Sequence, residues 1–196
     1  ISAGSSSFKS LSFKISGCLK IALSSNFILA SKQIILLSLV IISGLISQSI
    51  KQQEAIEDSL DQTSLDRICR LIKKAPRVHC FGYRQSFSLS SYLCYGLGMI
   101  RQGVQLLNGS GQGLAYSLGQ LRTQDLLIGF SFKPYSSTTV RMMQVAKRSD
   151  IPMIVFTDSY SSPLASLATE IVRIPTESDF YSNTMTSVVL TIEIIL

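Results

Sequence analysis

The sequence is sparing with the residues that usually announce a chemistry. Its 196 residues hold one histidine and four cysteines (Cys18, Cys69, Cys80, Cys94), and no CxxC pair or Cys/His group has metal-site spacing. No metal site is expected. Cys69, Cys80 and Cys94 fall inside apolar stretches and read as small buried hydrophobes in a reducing compartment, not as disulfide partners. His79 stands in the apolar run Val78-His79-Cys80-Phe81, where a core or strand-end role is expected rather than a ligand or a base. Neither the P-loop nor the dinucleotide-binding glycine spacing occurs, so no nucleotide cofactor is indicated.

Acidic residues are missing from one stretch altogether. Residues 1–50 carry Lys9, Lys14, Lys20 and Lys32, no arginine and no carboxylate, a charge of +4 out of the total of +6. The remaining 146 residues carry fourteen basic and twelve acidic groups and are close to neutral, with no basic stripe for gripping nucleic acid. The first segment is serine-rich, and strongly apolar from Ile34 to Ile46. A membrane helix is one reading, but the apolar run falls short of the ~20 residues a span needs, and serines interrupt it. A targeting peptide is a second reading, opposed by the lack of arginine. The leading reading is a remnant or mistranslated linker, and a chain that starts at Ile1 is expected to lack its natural beginning. Composition becomes ordinary from Lys51. The expected division is therefore an atypical segment over 1–50 and a folded domain over 54–196.

That domain reads as alternating helices and strands. Ile56, Leu60, Leu65, Ile68, Leu71 and Ile72 predict a helix over 54–74, acidic at its start, with Lys73 and Lys74 at its end and Pro76 closing it. Short apolar runs predict strands at 78–81, 104–107, 126–130, 151–157 and 171–174. Between them lie helices at 88–100 (inward Leu89, Leu93, Leu97, Ile100), 114–121, 136–148 (inward Val140, Met143, Val145) and 163–168. A last helix is expected over 183–196. Five brief strands alternating with helices imply an α/β fold, a three-layer αβα sandwich around a five-stranded parallel sheet.

Ligands of such sheets gather beyond the carboxyl ends of the strands. Three segments qualify: 82–88, 131–139 and 157–162. In the first, Gly82 permits a tight turn, Arg84 can hold an anion through two N–H groups, and Ser86 can donate. In the second, Ser131, Lys133, Ser136 and Thr139 set hydroxyls and one cation before a helix N-terminus, a setting that favours phosphate. Ser136 or Ser137 is also a good helix cap. Two cationic, hydroxyl-rich loops on one sheet edge suggest one anionic pocket made by Gly82, Arg84, Ser86, Ser131, Lys133, Ser136 and Thr139.

The order Gly82-x-Arg84-x-Ser86, then Ser131-Phe132-Lys133-Pro134-Tyr135-Ser136-x-x-Thr139, then Val155-Phe156-Thr157-Asp158-Ser159 with Ser162-Pro163-Leu164-Ala165 resembles SIS (sugar isomerase) domains. It is most similar to those of RpiR-type bacterial transcriptional regulators, and Ser178 to Thr184 fits their late loop. Where generic members carry Ser-x-Ser-Gly-x-Thr, this chain keeps Ser131 and has Lys133, Pro134 and Ser136 at the other three places. The resemblance implies a flavodoxin-like domain that senses a phosphorylated sugar in the cytoplasm, acts as a homodimer, and reaches DNA through an N-terminal helix-turn-helix domain. No such domain is recognisable here, although residues 8–20 are faintly similar to its end. A sugar-phosphate isomerase is the alternative, but it needs a base beside the carbonyl. Glu170, Glu177, Glu193 and His79 are poorly placed for that, so no catalytic residue is assigned.

Overall fold

A computed structural model describes residues 27–108, 113–178 and 183–196. The readings made on residues 8–20, on Cys18, on 109–111 and on 179–182 of the late loop lie outside the described residues. The chain forms two compact units. Ile1–Lys51 with Glu177–Thr184 holds, in its described part, most of a long helix α1 (Phe27–Ser59). Leu39, Val40, Ile42, Ile46 and Ile50 on that helix are at least half exposed, and no described helix is long and apolar enough to cross a membrane.

The other unit, Gln52–Thr176 with Met185–Leu196, contains α2 (Gln62–Lys74), β1 (Val78–Gly82), α3 (Gln85–Ile100), β2 (Val104–Leu107), α4 (Gly113–Gly119), β3 (Leu126–Phe130), α5 (Ser137–Arg148), β4 (Met153–Thr157), a 3₁₀ turn (Ala165–Leu167), β5 (Glu170–Arg173) and α6 (Thr186–Ile195). The single helix expected over 54–74 is instead two. Asp61 adopts an extended backbone and its side chain accepts the Ser64 N–H at 2.8 Å, which starts α2 afresh after α1 ends at Ser59. Likewise, residues 163–168 make only a 3₁₀ turn where a helix is expected.

All strands pair in parallel, in the order β2-β1-β3-β4-β5. β1, β3 and β4 are buried at every position, as strands covered on both faces must be, whereas the edge strands β2 and β5 are only partly buried. Side chains alternate between two cores. On one face Cys80, Leu126, Ile128, Phe130, Ile154 and Phe156 meet Ile68 and Ile72 of α2, Leu93 and Leu97 of α3, and Val188 and Ile192 of α6. On the other, Phe81, Leu127, Met153 and Val155 meet Met142, Met143 and Ala146 of α5. Phe130 and Phe156 stack with ring centres 4.3 Å apart.

Two residues expected to point inward do not: Ile100 and Val145 are 63% and 43% exposed. In α5 the buried set is Thr139, Met142, Met143 and Ala146, a helical face offset from the Val140–Val145 reading. Gly129 lets this helix come close, because a Cβ there would overlap the Met143 methyl.

Candidate ligand site at the strand ends

The chain leaves β1 outward to β2 on one side, then crosses back to β3 on the other. The crevice between the carboxyl ends of β1 and β3 is thus the topological switch point, where loops diverge and leave an opening. Gly82 pairs with Phe130 across it. The two loops singled out in the sequence lie on its two sides.

On the β1 side Gly82 is buried, and a Cβ on it would come 2.2 Å from the Ser86 carbonyl oxygen. Only glycine lets α3 begin so close to the strand. Arg84 bridges the two with φ 59° and ψ −126°, backbone angles that glycine adopts far more readily than other residues. Its carbonyl accepts the Phe87 N–H at 3.1 Å, its side chain is exposed, and no side chain caps α3. Ser86 is buried in the first turn of that helix.

On the β3 side Ser131 is buried, and its N–H continues the ladder to the Phe156 carbonyl at 3.0 Å. Lys133 is exposed and precedes Pro134 through a cis peptide. Ser136 is the N-cap of α5 and accepts the Thr139 N–H at 3.4 Å. Thr139 is fully buried, and its Oγ1 has no hydrogen-bond partner among the described residues.

Three residues at this edge lie in the segments singled out by the sequence but were not among the seven pocket candidates. Ser162, in the segment after β4, and Tyr135, just before α5, bury hydroxyls that have no hydrogen-bond partner among the described residues. Burial first, and the neighbouring Asp158 carboxylate second, push the Tyr135 phenol up to about 12. Asp158 follows β4 directly and accepts a 3.4 Å hydrogen bond from Thr157 Oγ1. Its place immediately after a strand was the available sequence signal.

Two of the carboxylates weighed earlier as bases are engaged elsewhere, and the imidazole lies at the other end of the sheet. Glu170 opens β5 at the far edge and pairs with Arg67 at 2.8 Å, and Glu193 accepts from the Tyr92 hydroxyl at 3.1 Å. His79 is 3% exposed, with Nε2 3.7 Å from Asp125 at the amino end of β3. Asp125 is fully buried and takes two hydrogen bonds from Arg77, at 2.6 and 3.0 Å, and one from the Arg122 N–H at 2.8 Å. This cluster holds the amino ends of the strands together, opposite the switch point. It borders a cavity of 420 Å³ lined by Arg77, His79, Gln105, Tyr116 and Gln120. A second cavity of 510 Å³ lies among Cys69, Ile72, Leu97, Arg101 and Ile195. Neither is lined by any of the seven candidate residues.

The SIS domain family model matches residues 71–195. The chain belongs to the SIS domain family. Its fold is that of the sugar isomerase domain of an RpiR transcription factor from Sphaerobacter thermophilus, with TM-score 0.74, 22% identity, and coverage of 78% of this chain and 86% of that one. The NanR protein of Vibrio vulnificus, solved in complex with ManNAc-6P, is similar at TM-score 0.64 and 23% identity over 82% of this chain and 64% of that one. A hypothetical protein from Methanococcus jannaschii, whose structure infers a 3-hexulose-6-phosphate isomerase function, is similar at TM-score 0.62 and 16% identity over 78% and 82%. No curated protein matches the chain. The SIS fold therefore serves regulators and isomerases alike, and the choice between them rests on the site.

Proposed function

We propose that this SIS domain is the effector-binding module of an RpiR-type regulator, which takes a phosphorylated sugar at the switch point and does not convert it. The observation that supports the reading best is that β1 and β3 are neighbours, Gly82 against Phe130, so the loops carrying Arg84 and Lys133 leave adjacent strand ends, beside the start of α3, which no side chain among the described residues caps. Cations and helix-terminal N–H groups together suit a phosphate. Ser86, Ser131, Ser136 and Thr139 supply hydroxyls, and Gly82 lets α3 begin against the strand end. The module acts as a cytoplasmic homodimer and influences DNA through a separate domain.

The test is a thermal-shift screen of the full chain against sugar phosphates, each paired with its unphosphorylated sugar. At a hundredfold excess over Kd a ligand adds about 2.7 kcal/mol, a rise of roughly 5–10 °C for a chain of this size. The rise is expected with the phosphate ester alone, to be lost in Arg84→Ala and Ser131→Ala, and to occur without turnover. Asp158 favours the second reading, an isomerase, because it puts a carboxylate at this edge. Conversion of a hit, abolished by Asp158→Asn, would replace sensor with enzyme.

A further inference from the structure

The amino end of the sheet carries a cleft that the strand-end loops do not reach. His79 lies in register with Gln105 of the edge strand β2, and it shares a sheet face with Phe81, two positions on. Over that face α4 and the residues after it pack through Leu118 and Leu121. Tyr116, Ser117 and Gln120 line the cleft from this segment, and Leu106 and Leu107 line it from β2. Its 420 Å³ stand at the small end of ligand-site sizes, roughly 300–1,000 Å³.

The His79 ring also lines this cleft, is 3% exposed, and has two nitrogens that make no hydrogen bond among the described residues. The Asp125 carboxylate is 3.7 Å from Nε2, too far for a hydrogen bond. Buried polar atoms ordinarily have partners, so two bare nitrogens on the wall of a cleft call for one from outside. Burial, the largest influence on His79, lowers its pKa and keeps the ring neutral at pH 7, so one nitrogen donates and the other accepts. Arg77 is the cation here, and both Asp125 oxygens already occupy it, at 2.6 and 3.0 Å. The cleft therefore presents no net charge. A phosphate would leave water for a cation already neutralised, with a buried carboxylate behind it. Hydroxyl groups, which both donate and accept, match a neutral imidazole and the amides of Gln105 and Gln120. Tyr116 adds an aromatic ring suited to the C–H face of a sugar.

We propose that this cleft is a second ligand site, which takes a neutral polyhydroxyl compound of monosaccharide size through the His79 nitrogens and the Gln105 and Gln120 amides. It lies at the opposite end of the sheet from the β1/β3 switch point, so it stands whether or not a phosphorylated sugar binds there.

The sole histidine makes the test direct. The full chain, labelled with ¹⁵N-histidine, is titrated at about pH 7.5 with D-glucose, D-mannose, N-acetyl-D-glucosamine and myo-inositol, each to about 50 mM, while the two ring-nitrogen resonances are followed. At least one probe should move both resonances along a saturating curve, with Kd of about 1–10 mM. Gln105→Leu and Gln120→Leu, both at exposed positions, should each weaken that binding by about threefold to tenfold. The phosphate ester of the same probe should bind here at least about tenfold more weakly. Arg84→Ala, at the other end of the sheet, should leave the response unchanged. Resonances unmoved by all four probes, or moving linearly without saturation, would overturn the proposal. So would an ester that binds as tightly as its free sugar, glutamine variants that bind like the wild type, or a response lost in Arg84→Ala. The wild-type titration decides the matter even if a variant fails to fold.

Discussion

At Arg84 the backbone and the side chain want different things. Its φ of 59° is one that glycine adopts without strain, and holding a residue with a Cβ there costs about 1–3 kcal/mol. Arg84→Gly should therefore raise the apo melting point by a few degrees, after the entropy glycine adds to the unfolded chain is subtracted, and abolish the phosphate-dependent shift. Gly82 runs the opposite way. Gly82→Ala puts a methyl 2.2 Å from the Ser86 carbonyl and should cost about 2 kcal/mol in urea denaturation, because α3 must retreat from β1. His79 reports on pH. Burial is the largest influence on it and lowers its pKa, and the Asp125 carboxylate offsets this only in part. The unfolded chain, with His79 near 6.5, binds the proton better, so stability is complete above about 6.5 and declines as pH falls toward the folded value. Urea midpoints at pH 7.5, 6.5 and 5.5 should show this decline, and His79→Gln, the sole histidine removed, should flatten it.

For the elements, the short apolar strands were legible because parallel strands buried on both faces must be continuously apolar. Val104–Leu107 and Leu126–Phe130 coincide with their expected limits. Helix limits were less legible where a single cap decides them. Asp61 divides the expected 54–74 helix, and its capping role competed in the sequence with an unbroken apolar period. Offsets such as Val145 for Met142 arise because the buried arc of a helix depends on the angle at which it meets the sheet. Ser136 shows the same competition inside the site, for its hydroxyl already caps α5. Ser136→Ala should lower the apo stability by about 1 kcal/mol, a loss that Ser131→Ala should not share, and calorimetry of both variants separates cap from ligand contact.

Across the whole molecule, the Arg77–Asp125 pair and the switch point sit at opposite ends of the sheet, so fold and site can be perturbed separately. Asp125 is fully buried: burial would raise its carboxyl, but hydrogen bonds from Arg77 and the Arg122 N–H outweigh this and hold it low. Asp125→Ala should cost about 3 kcal/mol by leaving these donors unpaired, with ligand selectivity unchanged in whatever protein remains folded. The proposed homodimer should elute near 43 kDa, twice 21.5 kDa, in light scattering of the full chain. Tyr95, Met99 and Ile100 on α3, each more than 60% exposed, supply apolar surface that an isolated domain gains nothing by showing.

The sequence by itself determined the α/β class, the parallel sheet and the family, since strand period, turn residues and local motifs are short-range information. Only the tertiary structure decided which strands are neighbours. That order makes the β1/β3 gap the opening, places Asp158, Tyr135 and Ser162 at the same edge, and sends His79 to the far end with Asp125. Such meetings depend on how a helix lies across a sheet, and that is settled by packing of the whole core rather than by any segment alone.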